Sequence, residues 1–287
     1  MSAGGWKGMS VCVVYRELLE EGKHILAQAE IVDAECDAWL LLEHVSGMNR
    51  AQFFLHQQDT VPDELEADYR GMLRKRAEHI PLQHLTGTQE FMGLEFQVSP
   101  DVLIPRQDTE LLVEKLLPHI QGKRVLDVCT GSGCIAISLA VLGKPKQMDA
   151  VDLSEKALIQ AGKNAKRLGA DVSFYRSDML DKINGRYDVI VSNPPYIASD
   201  VVDELMPEVQ EHEPRMALDG GADGLDLYRR LLAQAPERLL SGGLLAVEIG
   251  YDQREAVMEL FREQGFTDVY CDRDLCGNDR VVMGRYQ

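Results

Sequence analysis

The sequence predicts an α/β protein: a mostly parallel β-sheet with helices on both faces, preceded by a small all-α domain. From residue 124 onward, short apolar runs rich in branched residues alternate with stretches of helical periodicity, which is the pattern of strand–helix–strand crossovers. Between residues 15 and 84, helical periodicity comes with almost no strand signal. At 287 residues the chain is long enough for one large and one small domain.

The charge balance argues against extended contact with nucleic acid. The formal net charge is −17, whereas a protein that binds nucleic acid must neutralise phosphates with Lys and Arg. The only compact basic cluster is Arg74-Lys75-Arg76, and a solvated helix face explains it as well as a binding site does. A protein or a small molecule is therefore the favoured partner.

Neither a membrane segment nor a secretion signal is evident. No apolar run approaches the roughly 20 residues of a membrane helix, and no basic region followed by an apolar stretch opens the chain. The six cysteines form no CxxC pair, and histidines do not gather around them. We expect a cytoplasmic protein without a metal site, with reduced and buried thiols at Cys12, Cys36, Cys129, Cys134, Cys271 and Cys276.

Helices account for the first predicted domain, residues 1–84. Residues 38–42 and 53–55 supply apolar faces, and an acidic run after a proline marks a further helix start. We predict a bundle of four or five helices, with Trp39 and the pair Phe53-Phe54 in its core.

The second predicted domain, residues 85–287, opens with a hairpin. Two short alternating runs on either side of Met92-Gly93 predict two strands joined by a tight turn, which would link the two domains. Either Asp108 or Thr109 then caps the next helix. Arg106, just before that helix, is either a surface arginine or faces a ligand, and the sequence leaves this even.

Strands and helices alternate through the rest of this domain. The last two strands follow each other without a helix between them, so we expect one of them to be antiparallel. The predicted strands are 124–128, 147–152, 172–176, 187–191, 243–249, 269–271 and 280–284. The predicted helices are 134–142, 155–168, 225–239 and 253–264. Residues 199–226 form one long irregular stretch, and a long loop beside a site is usually a lid or a specificity element.

Three acidic residues end three successive predicted strands. Asp127 precedes a tight glycine turn that has neither a Walker lysine nor GxGxxG spacing, which argues against phosphate binding. The acidic residue itself would repel phosphate and favours a cationic ligand. Asp152 stands where an acid accepts hydrogen bonds from ribose hydroxyls, and Asp178 where an acid accepts from an adenine amino group. Open α/β sheets bind ligands at these strand ends. The three acids therefore predict a positively charged nucleoside cofactor.

A second motif, Asn193-Pro194-Pro195-Tyr196, follows the predicted strand 187–191. The two prolines fix φ and remove two backbone donors, so the carbonyls of the turn stay free to accept hydrogen bonds. Asn193 adds a side-chain amide, and Tyr196 adds an aromatic face. The motif predicts a rigid pocket that suits a planar group carrying an NH2.

The order of these motifs resembles that of the S-adenosylmethionine-dependent class I methyltransferases, and the Asn-Pro-Pro-Tyr version resembles those that methylate nitrogen conjugated to a planar system. Four further segments resemble the release-factor glutamine methyltransferase family (PrmC/HemK type), and the resemblance covers essentially the whole chain. These segments are Ile104–Glu110, Glu213–Leu218, Asp219–Leu225 and Glu248–Gln253. The resemblance implies a class I, Rossmann-like, mostly parallel sheet of seven strands.

The resemblance also implies a reaction. The family methylates the glutamine of the Gly-Gly-Gln motif in peptide-chain release factors, with S-adenosyl-L-methionine as cofactor and S-adenosyl-L-homocysteine as product. The helical N-terminal domain would bind the release factor. The Asn193 side-chain oxygen and the Pro194 carbonyl would hold the two N–H bonds of the glutamine amide, while Tyr196 packs against it. Neither a strong base nor a covalent intermediate is required.

The motifs and the resemblance together assign site residues. The expected cofactor contacts are Asp127, Cys129, Thr130, Gly131, Ser132, Gly133, Asp152, Asp178, Met179 and Asn193. The expected catalytic or substrate-binding residues are Asn193, Pro194, Pro195, Tyr196 and Arg106. Three residues depart from the family pattern: Cys129 replaces a usual glycine, Met179 a frequent aromatic residue and Gln107 a frequent proline.

Two other functions stay open. A nucleic-acid methyltransferase that acts on a flipped base uses a similar pocket, although the acidic balance and the helical N-terminal domain count against it. A cofactor-binding scaffold without catalysis is the other alternative, and the intact turn from Asn193 to Tyr196 argues against it. A monomer is the expected state.

Overall fold

Separate cores divide the chain into two units. The computed structural model describes residues 13–287, which split into one unit that ends at Thr86 and a second that begins at Gly87. Cys12 lies outside the described residues. Each unit has its own buried apolar clusters.

The first unit is helical throughout its described residues. Its helices are α1 (Tyr15–Gln28), α2 (Ala34–Ser46), α3 (Arg50–His56), α4 (Asp63–Ala77) and α5 (Leu82–Thr86). Leucines of α1, α2 and α4 fill the core, where the Tyr69 hydroxyl donates a hydrogen bond to the Ala38 carbonyl at 3.0 Å. A buried ion pair joins Arg76 to Asp37 at 2.7 Å. The predicted helical bundle is confirmed.

The aromatic residues of this unit are only partly where the sequence predicted them. Trp39 and Phe53 are 4% and 7% exposed, and their rings meet edge to face with centroids 5.3 Å apart. Phe54 is 64% exposed, so its assignment to the core is wrong. Adjacent residues of a helix project about 100° apart, and the short helix α3 therefore buries only one of the two phenylalanines.

The second unit opens with the predicted hairpin. Strands β1 (Thr88–Phe91) and β2 (Leu94–Gln97) pair antiparallel around Met92 and Gly93. Both turn residues have a positive φ, +54° and +70°, as a two-residue type I′ turn requires. The turn therefore fixes the register of the hairpin.

A seven-stranded sheet forms the centre of the second unit. Its strands are β3 (Arg124–Val128), β4 (Gln147–Asp152), β5 (Ser173–Arg176), β6 (Tyr187–Ser192), β7 (Leu239–Glu248), β8 (Phe266–Arg273) and β9 (Asp279–Tyr286). They lie in the order β5-β4-β3-β6-β7-β9-β8. All neighbours are parallel except β9, which is antiparallel to both β7 and β8. The predicted fold class, including an antiparallel strand among the last two, is confirmed.

Helices cover both faces of this sheet. The α-helices of this unit are α6 (Glu110–Ile120), α7 (Cys134–Gly143), α8 (Glu155–Leu168), α9 (Ser199–Val202), α10 (Pro207–Gln210), α11 (Asp226–Arg238) and α12 (Arg254–Glu263). Helices α6, α7 and α8 share one buried cluster with the sheet, while α11 and α12 share the other. Val125 and Leu126 of β3 belong to opposite clusters, which is why the central strands have continuous apolar runs.

Strand β7 begins earlier than predicted, at Leu239 instead of Gly243. Its register against β6 shifts between Tyr187 and Val189, where β7 carries extra residues. Gly242 within this bulge has a φ of +77°, a conformation that suits glycine. A glycine-rich run that is typical of a loop therefore lies inside the strand.

The carboxyl ends of the central strands meet at one edge of the sheet. The chain passes from β3 to β4 on one side and returns to β6 on the other, so the strand order reverses at β3 and leaves a crevice there. Val128 at the end of β3 pairs with Ser192 at the end of β6. This register brings the glycine turn after β3 next to the turn that begins at Asn193.

The segment 199–226 is less irregular than predicted. It contains α9, α10 and a short 3-10 helix, Arg215–Ala217. Glu213 is buried and accepts hydrogen bonds from the Arg106 side chain and from the Ile104 N–H, the latter at 3.3 Å. The segment is thus anchored at its middle to the residues that precede α6.

The described cysteines are free thiols, but they are not all buried. Cys36 and Cys276 are exposed and Cys129 and Cys271 are half-buried, so among the described cysteines the prediction of burial is right only for Cys134. No group of metal-binding side chains is found among residues 13–287. None of the helices in that range is long and apolar enough to cross a membrane.

Candidate active site

The turn between β3 and α7 has an unusual backbone. Gly131 and Gly133 have φ values of +56° and +83°, and a Cβ on Gly133 would meet Ile137 Cδ1 at 2.9 Å. Cys129 also has a positive φ, +63°, which an L side chain adopts only with strain. Cys129 therefore keeps the left-handed backbone conformation that glycine favours, although it carries a side chain.

Asp127 supports this turn from behind. Its side chain is 0% exposed, and its Oδ2 accepts a hydrogen bond from the Thr130 hydroxyl at 2.6 Å. Its Oδ1 has no well-aligned donor among the described residues. Burial raises the pKa of Asp127 to about 7, because removal from water disfavours the charged carboxylate.

The other two predicted acids lie at the ends of β4 and β5. Asp152 accepts hydrogen bonds from the Gly131 N–H at 2.9 Å and from the Ser154 N–H at 2.8 Å, and burial raises its pKa. Asp178 is half-exposed and forms an ion pair with Arg230 at 2.8 Å. Asp152 therefore ties the first turn to β4, while Asp178 lies at the more open side.

A cavity of about 310 Å³ opens between these strand ends. The predicted cofactor residues on its wall are Cys129, Gly131, Asp152, Asp178, Met179 and Asn193. The remaining predicted ones, Asp127, Thr130, Ser132 and Gly133, do not line the cavity. The three side chains among them are at most 3% exposed, so they shape the turn from within the protein.

Two sulfur atoms meet at this wall. Cys129 Sγ and Met179 Sδ are 3.9 Å apart, and Met179 shares the left-handed conformation with a φ of +47°. The two departures from the family pattern are thus in contact with each other. Burial raises the pKa of the Cys129 thiol, which keeps it protonated and weakly nucleophilic.

A second cavity, of about 210 Å³, lies on the other side of the Asn193 turn. Its wall includes Asn193, Pro194, Pro195 and Tyr196, together with Arg106. Asn193 and Pro195 line both cavities. The turn is therefore the boundary at which a group in one cavity would meet a group in the other.

Hydrogen bonds fix the side chains of this turn. The Asn193 Nδ2 donates to the Thr109 hydroxyl at 3.2 Å, so its Oδ1 stays available as an acceptor. The Tyr196 hydroxyl donates to Glu248 Oε1 at 3.3 Å. The Pro194 carbonyl accepts no hydrogen bond from the described residues. Two acceptor oxygens of the turn are thus free.

Residues 220–224, here called the glycine segment, pack directly against the backbone of the turn. A Cβ on Gly220 would lie 2.8 Å from both the Pro195 carbonyl oxygen and the Tyr196 Cα. Gly224 has a φ of +72° and approaches the Tyr196 carbonyl, which also accepts a hydrogen bond from the Gln253 side chain at 2.8 Å. Only glycine permits this approach.

Thr109 and Glu248 contact the turn, although neither was predicted to be a site residue. They are 2% and 1% exposed. Thr109 holds the first position before α6, as predicted for a cap, but its side chain does not cap the helix; the hydroxyl accepts from Asn193 instead. A signal for Glu248 existed in the sequence, since a charged residue directly after the apolar run 244–247 ends a buried strand.

Two family models match this chain. Residues 17–87 match the family described as PrmC N-terminal domain, and residues 106–212 match the methyltransferase small domain. Among solved structures, a methyltransferase from Pyrococcus furiosus has a TM-score of 0.54 and 20% identity, covering 68% of this chain and 90% of that chain. The hMettl16 catalytic domain, solved with a 3′UTR hairpin, has a TM-score of 0.56 and 18% identity, with 75% and 82% covered. These structural likenesses show the fold alone.

Sequence relatives are more specific. The release factor glutamine methyltransferase of Geobacter sulfurreducens is 43% identical over 274 residues, which cover 94% of this chain and 96% of that protein. The enzyme of the same name from Agrobacterium fabrum is 41% identical over 296 residues, with 99% and 100% covered. At this identity over at least 94% of each chain, the protein belongs to the release factor glutamine methyltransferase family.

Proposed function

We propose that this protein transfers a methyl group from S-adenosylmethionine to the side-chain amide nitrogen of a glutamine in peptide-chain release factors, the glutamine of the Gly-Gly-Gln motif. The observation that carries the proposal is the place of Asn193 between the two cavities, with its Nδ2 bound to Thr109 and its Oδ1 left as an acceptor. The names of the relatives supply the substrate.

The larger cavity fits the cofactor. S-adenosylmethionine is a cationic nucleoside, and this cavity has the carboxyl groups of Asp152 and Asp178 on its wall. Negative charge favours a bound cation, and Met179 with Leu153 supplies an apolar cover for a base. When bound, the cofactor supplies an activated methyl group.

The smaller cavity fits the amide. An amide nitrogen is a weak nucleophile because its lone pair is delocalised into the carbonyl. The Asn193 Oδ1 and the Pro194 carbonyl would accept its two N–H bonds, and Tyr196 would pack against its plane. Hydrogen bonds to both N–H groups would point the nitrogen toward the larger cavity, where the methyl group would lie. Because orientational freedom is then lost on binding and not during the reaction, the activation barrier is lower. Tyr196 carries the one hydroxyl of the turn, and burial raises its pKa, which keeps it protonated and weakly nucleophilic; the proposal therefore involves no covalent intermediate.

The remaining assignments complete the proposal. Arg106, on the wall of the smaller cavity and paired with Glu213, would contact the backbone that carries the glutamine. The helical unit would bind the release factor. The protein would act as a monomer in the cytoplasm, where release factors work, and the net charge of −17 argues against direct binding of nucleic acid.

A methyl-acceptor assay tests this function. The protein is incubated with S-adenosylmethionine and either a full-length release factor, the same factor with its motif glutamine changed to alanine, or RNA, and added methyl groups are located by mass spectrometry. We expect one methyl on the motif glutamine and none elsewhere. Methylation of RNA, or of the alanine variant, contradicts the proposal.

The variant Asn193→Ala tests the role of the turn. Loss of the oxygen that orients the amide should lower kcat by at least 100-fold, since well-placed orientation contributes several kcal/mol to a rate. The affinity for S-adenosylhomocysteine, measured by calorimetry, should change far less. An Asn193→Ala enzyme with normal turnover removes the proposed mechanism.

A further inference from the structure

We propose that Gln253 is a positioning residue for the reaction, and that its side-chain NH2 group holds the backbone of the Asn193 turn in the conformation that accepts the glutamine amide. The proposal deepens the function proposed above. It rests on that function in one respect: that the Asn193 oxygen and the Pro194 carbonyl accept the two N–H groups of the substrate. It adds a residue that was not among the predicted site residues.

The turn does not hold its own backbone by hydrogen bonds. Pro194 and Pro195 have no N–H group, and no backbone-to-backbone hydrogen bond among the described residues involves residues 194–196. Such bonds resume only at Ile197, whose N–H donates to the Leu218 carbonyl at 3.0 Å. The main chain of the turn therefore depends on contacts from elsewhere in the protein.

Gln253 supplies such a contact. Its Nε2 donates to the Tyr196 carbonyl at 2.8 Å and to the Gly224 carbonyl at 3.4 Å. Within residues 13–287, this is the only side-chain hydrogen bond to a main-chain atom of residues 194–196. Gly224 is buried, so water does not compete for that carbonyl. One NH2 group thus joins the turn to the glycine segment.

The direction of the Gln253 side chain is fixed by backbone groups. Its Oε1 accepts a hydrogen bond from the Gly250 N–H at 3.0 Å. A backbone N–H only donates and a carbonyl only accepts, so the NH2 group has to face the carbonyls of Tyr196 and Gly224. This orientation does not depend on the protonation state of any side chain.

The main chain of Gln253 is also firmly held. Its N–H donates to the Gly250 carbonyl at 3.0 Å, and its own carbonyl accepts from the Val257 N–H in the first turn of α12, also at 3.0 Å. The carbonyl of Glu248, where β7 ends, accepts from the Tyr228 hydroxyl at 2.7 Å. The connection from β7 to α12 is therefore a rigid support, and Gln253 links the turn to it.

The position of the Tyr196 carbonyl affects the acceptors in the turn. Peptide groups are planar, and the two prolines have a fixed φ, so few angles of the turn can absorb a rotation of this carbonyl. A displaced Tyr196 carbonyl therefore shifts the Pro194 carbonyl as well. Misplacement by about 1 Å of a group that aims a reacting atom lowers a rate on the order of 100-fold.

Gln253→Leu is the direct test, because it removes the donor and keeps a side chain of similar size. We expect kcat for methylation of the release factor to fall at least tenfold. The KM for the release factor should stay within about threefold, since the contacts of a protein substrate extend beyond one amide. Unchanged affinity for S-adenosylhomocysteine by calorimetry shows that the variant is folded. A kcat within twofold of the wild type, or a loss confined to KM, overturns the proposal.

Gln253→Glu separates a missing donor from a changed shape. Glutamate has the shape of glutamine and still accepts from the Gly250 N–H, but it donates to the Tyr196 carbonyl only when protonated. Its kcat relative to the wild type should be low at pH 8 and rise at least threefold at pH 6. Facing two carbonyl oxygens favours the neutral acid, which donates to one of them.

Two comparisons make this pH dependence specific. The kcat of Gln253→Leu relative to the wild type should be the same at pH 6 and pH 8, because leucine does not titrate. The nearby titratable groups of Tyr196, Tyr228 and Glu248 are present in all three proteins. A Gln253→Glu that is equally slow at both pH values overturns the proposal. If Gln253→Leu does not fold, Gln253→Glu still decides, since pH 6 and pH 8 compare one protein with itself.

Gln160→Glu is the matched control. Gln160 of α8 is 8% exposed, its Nε2 donates to the Gln97 carbonyl at 3.0 Å, and it lines neither cavity. This variant should be less stable in urea but keep the kcat of the wild type at both pH values. A loss of kcat equal to that of Gln253→Glu would mean that any such replacement lowers activity, which contradicts a specific role of Gln253.

Hydrogen exchange at Ile197 tests the proposal without substrate. The Ile197 N–H belongs to the same peptide group as the Tyr196 carbonyl, so release of this carbonyl lets the group rotate and weakens the bond to Leu218. Exchange at pH 8 should be at least tenfold faster in Gln253→Glu than in the wild type, and unchanged in Gln160→Glu. If the wild type methylates no glutamine, the proposed function fails, while this exchange still shows whether Gln253 holds the turn. Equal exchange in the wild type and Gln253→Glu would show that it does not.

Discussion

Cys129 combines an unusual backbone conformation with a side-chain contact on the cavity wall. Its φ of +63° is a conformation that favours glycine, and its sulfur lies 3.9 Å from Met179 on the cavity wall. The sequence motif identified this turn because glycines at fixed positions report a backbone conformation directly. It did not show that Cys129 and Met179 touch, since that contact joins residues 50 positions apart.

The same limit explains which site residues were missed. Asn193 meets Thr109 across 84 positions, and Tyr196 meets Glu248 across 52. A local pattern predicts which residues end a strand, and it located Asp152, Asp178 and Asn193 at the crevice. Which of the neighbouring polar side chains turn inward, as Thr130 does, is decided by packing that no local pattern contains.

The pH dependence of stability is a prediction at this scale. Burial raises the pKa of Asp127 from 3.8 to about 7. Between these values the folded protein holds a proton that the unfolded chain has released, so rising pH favours unfolding. The free energy of unfolding of the ligand-free protein should therefore fall from pH 5 to pH 8, with a contribution from Asp127 on the order of 3 kcal/mol or less.

Urea denaturation of the wild type and Asp127→Asn at both pH values measures this contribution. Asparagine still accepts the hydrogen bond from Thr130 but does not titrate, so the variant should lose less stability on going to pH 8. Other buried acids titrate equally in both proteins and cancel in the comparison. The same pH dependence in both would show that Asp127 is ionised throughout this range.

At the scale of elements, the sequence predicted the presence of helices and strands better than their boundaries. The central strands and helices were predicted within about two residues because their apolar periodicity is strong. The start of β7 was misplaced because its bulge has the composition of a loop. The segment 199–226 was predicted as irregular because its helices are too short for periodicity to be visible.

The contact between the glycine segment and the Asn193 turn predicts a large effect of one methyl group. In Gly220→Ala the new Cβ would lie 2.8 Å from two backbone atoms of the turn, and backbone moves less easily than a side chain. We expect a loss of about 1–3 kcal/mol in unfolding free energy, as for other overpacked sites, and a lower kcat because the turn shifts. Urea denaturation and the methyl-acceptor assay measure the two effects.

Gly162→Ala is the matched control for that change. Gly162 lies in α8, and a Cβ there meets nothing within 4 Å. Because alanine favours a helix by roughly 1 kcal/mol over glycine, this variant should be as stable as the wild type or more so, with normal kcat. If Gly220→Ala behaves like Gly162→Ala, the turn is not clamped by the glycine segment.

At the scale of the whole molecule, the alternation of strands and helices specified the architecture. It predicted the layers, the mostly parallel sheet and the antiparallel strand near its end. Parallel strands need crossovers of one hand, so few arrangements were compatible with the order of elements. That pattern does not predict which of the two units binds the release factor, because the all-helical unit has no strand ends at which a binding motif could be recognised.

The division into two units leads to the last prediction. Residues 87–287 contain both cavities and their own buried clusters. A fragment of these residues should therefore bind S-adenosylhomocysteine within about threefold of the full chain by calorimetry, and this binding serves as its folding control. If the helical unit binds the release factor, the fragment should show a KM for the release factor raised at least tenfold, which corresponds to about 1.4 kcal/mol of lost binding free energy. A fragment that binds the cofactor normally and keeps the KM of the full chain would show that the helical unit does not hold the substrate.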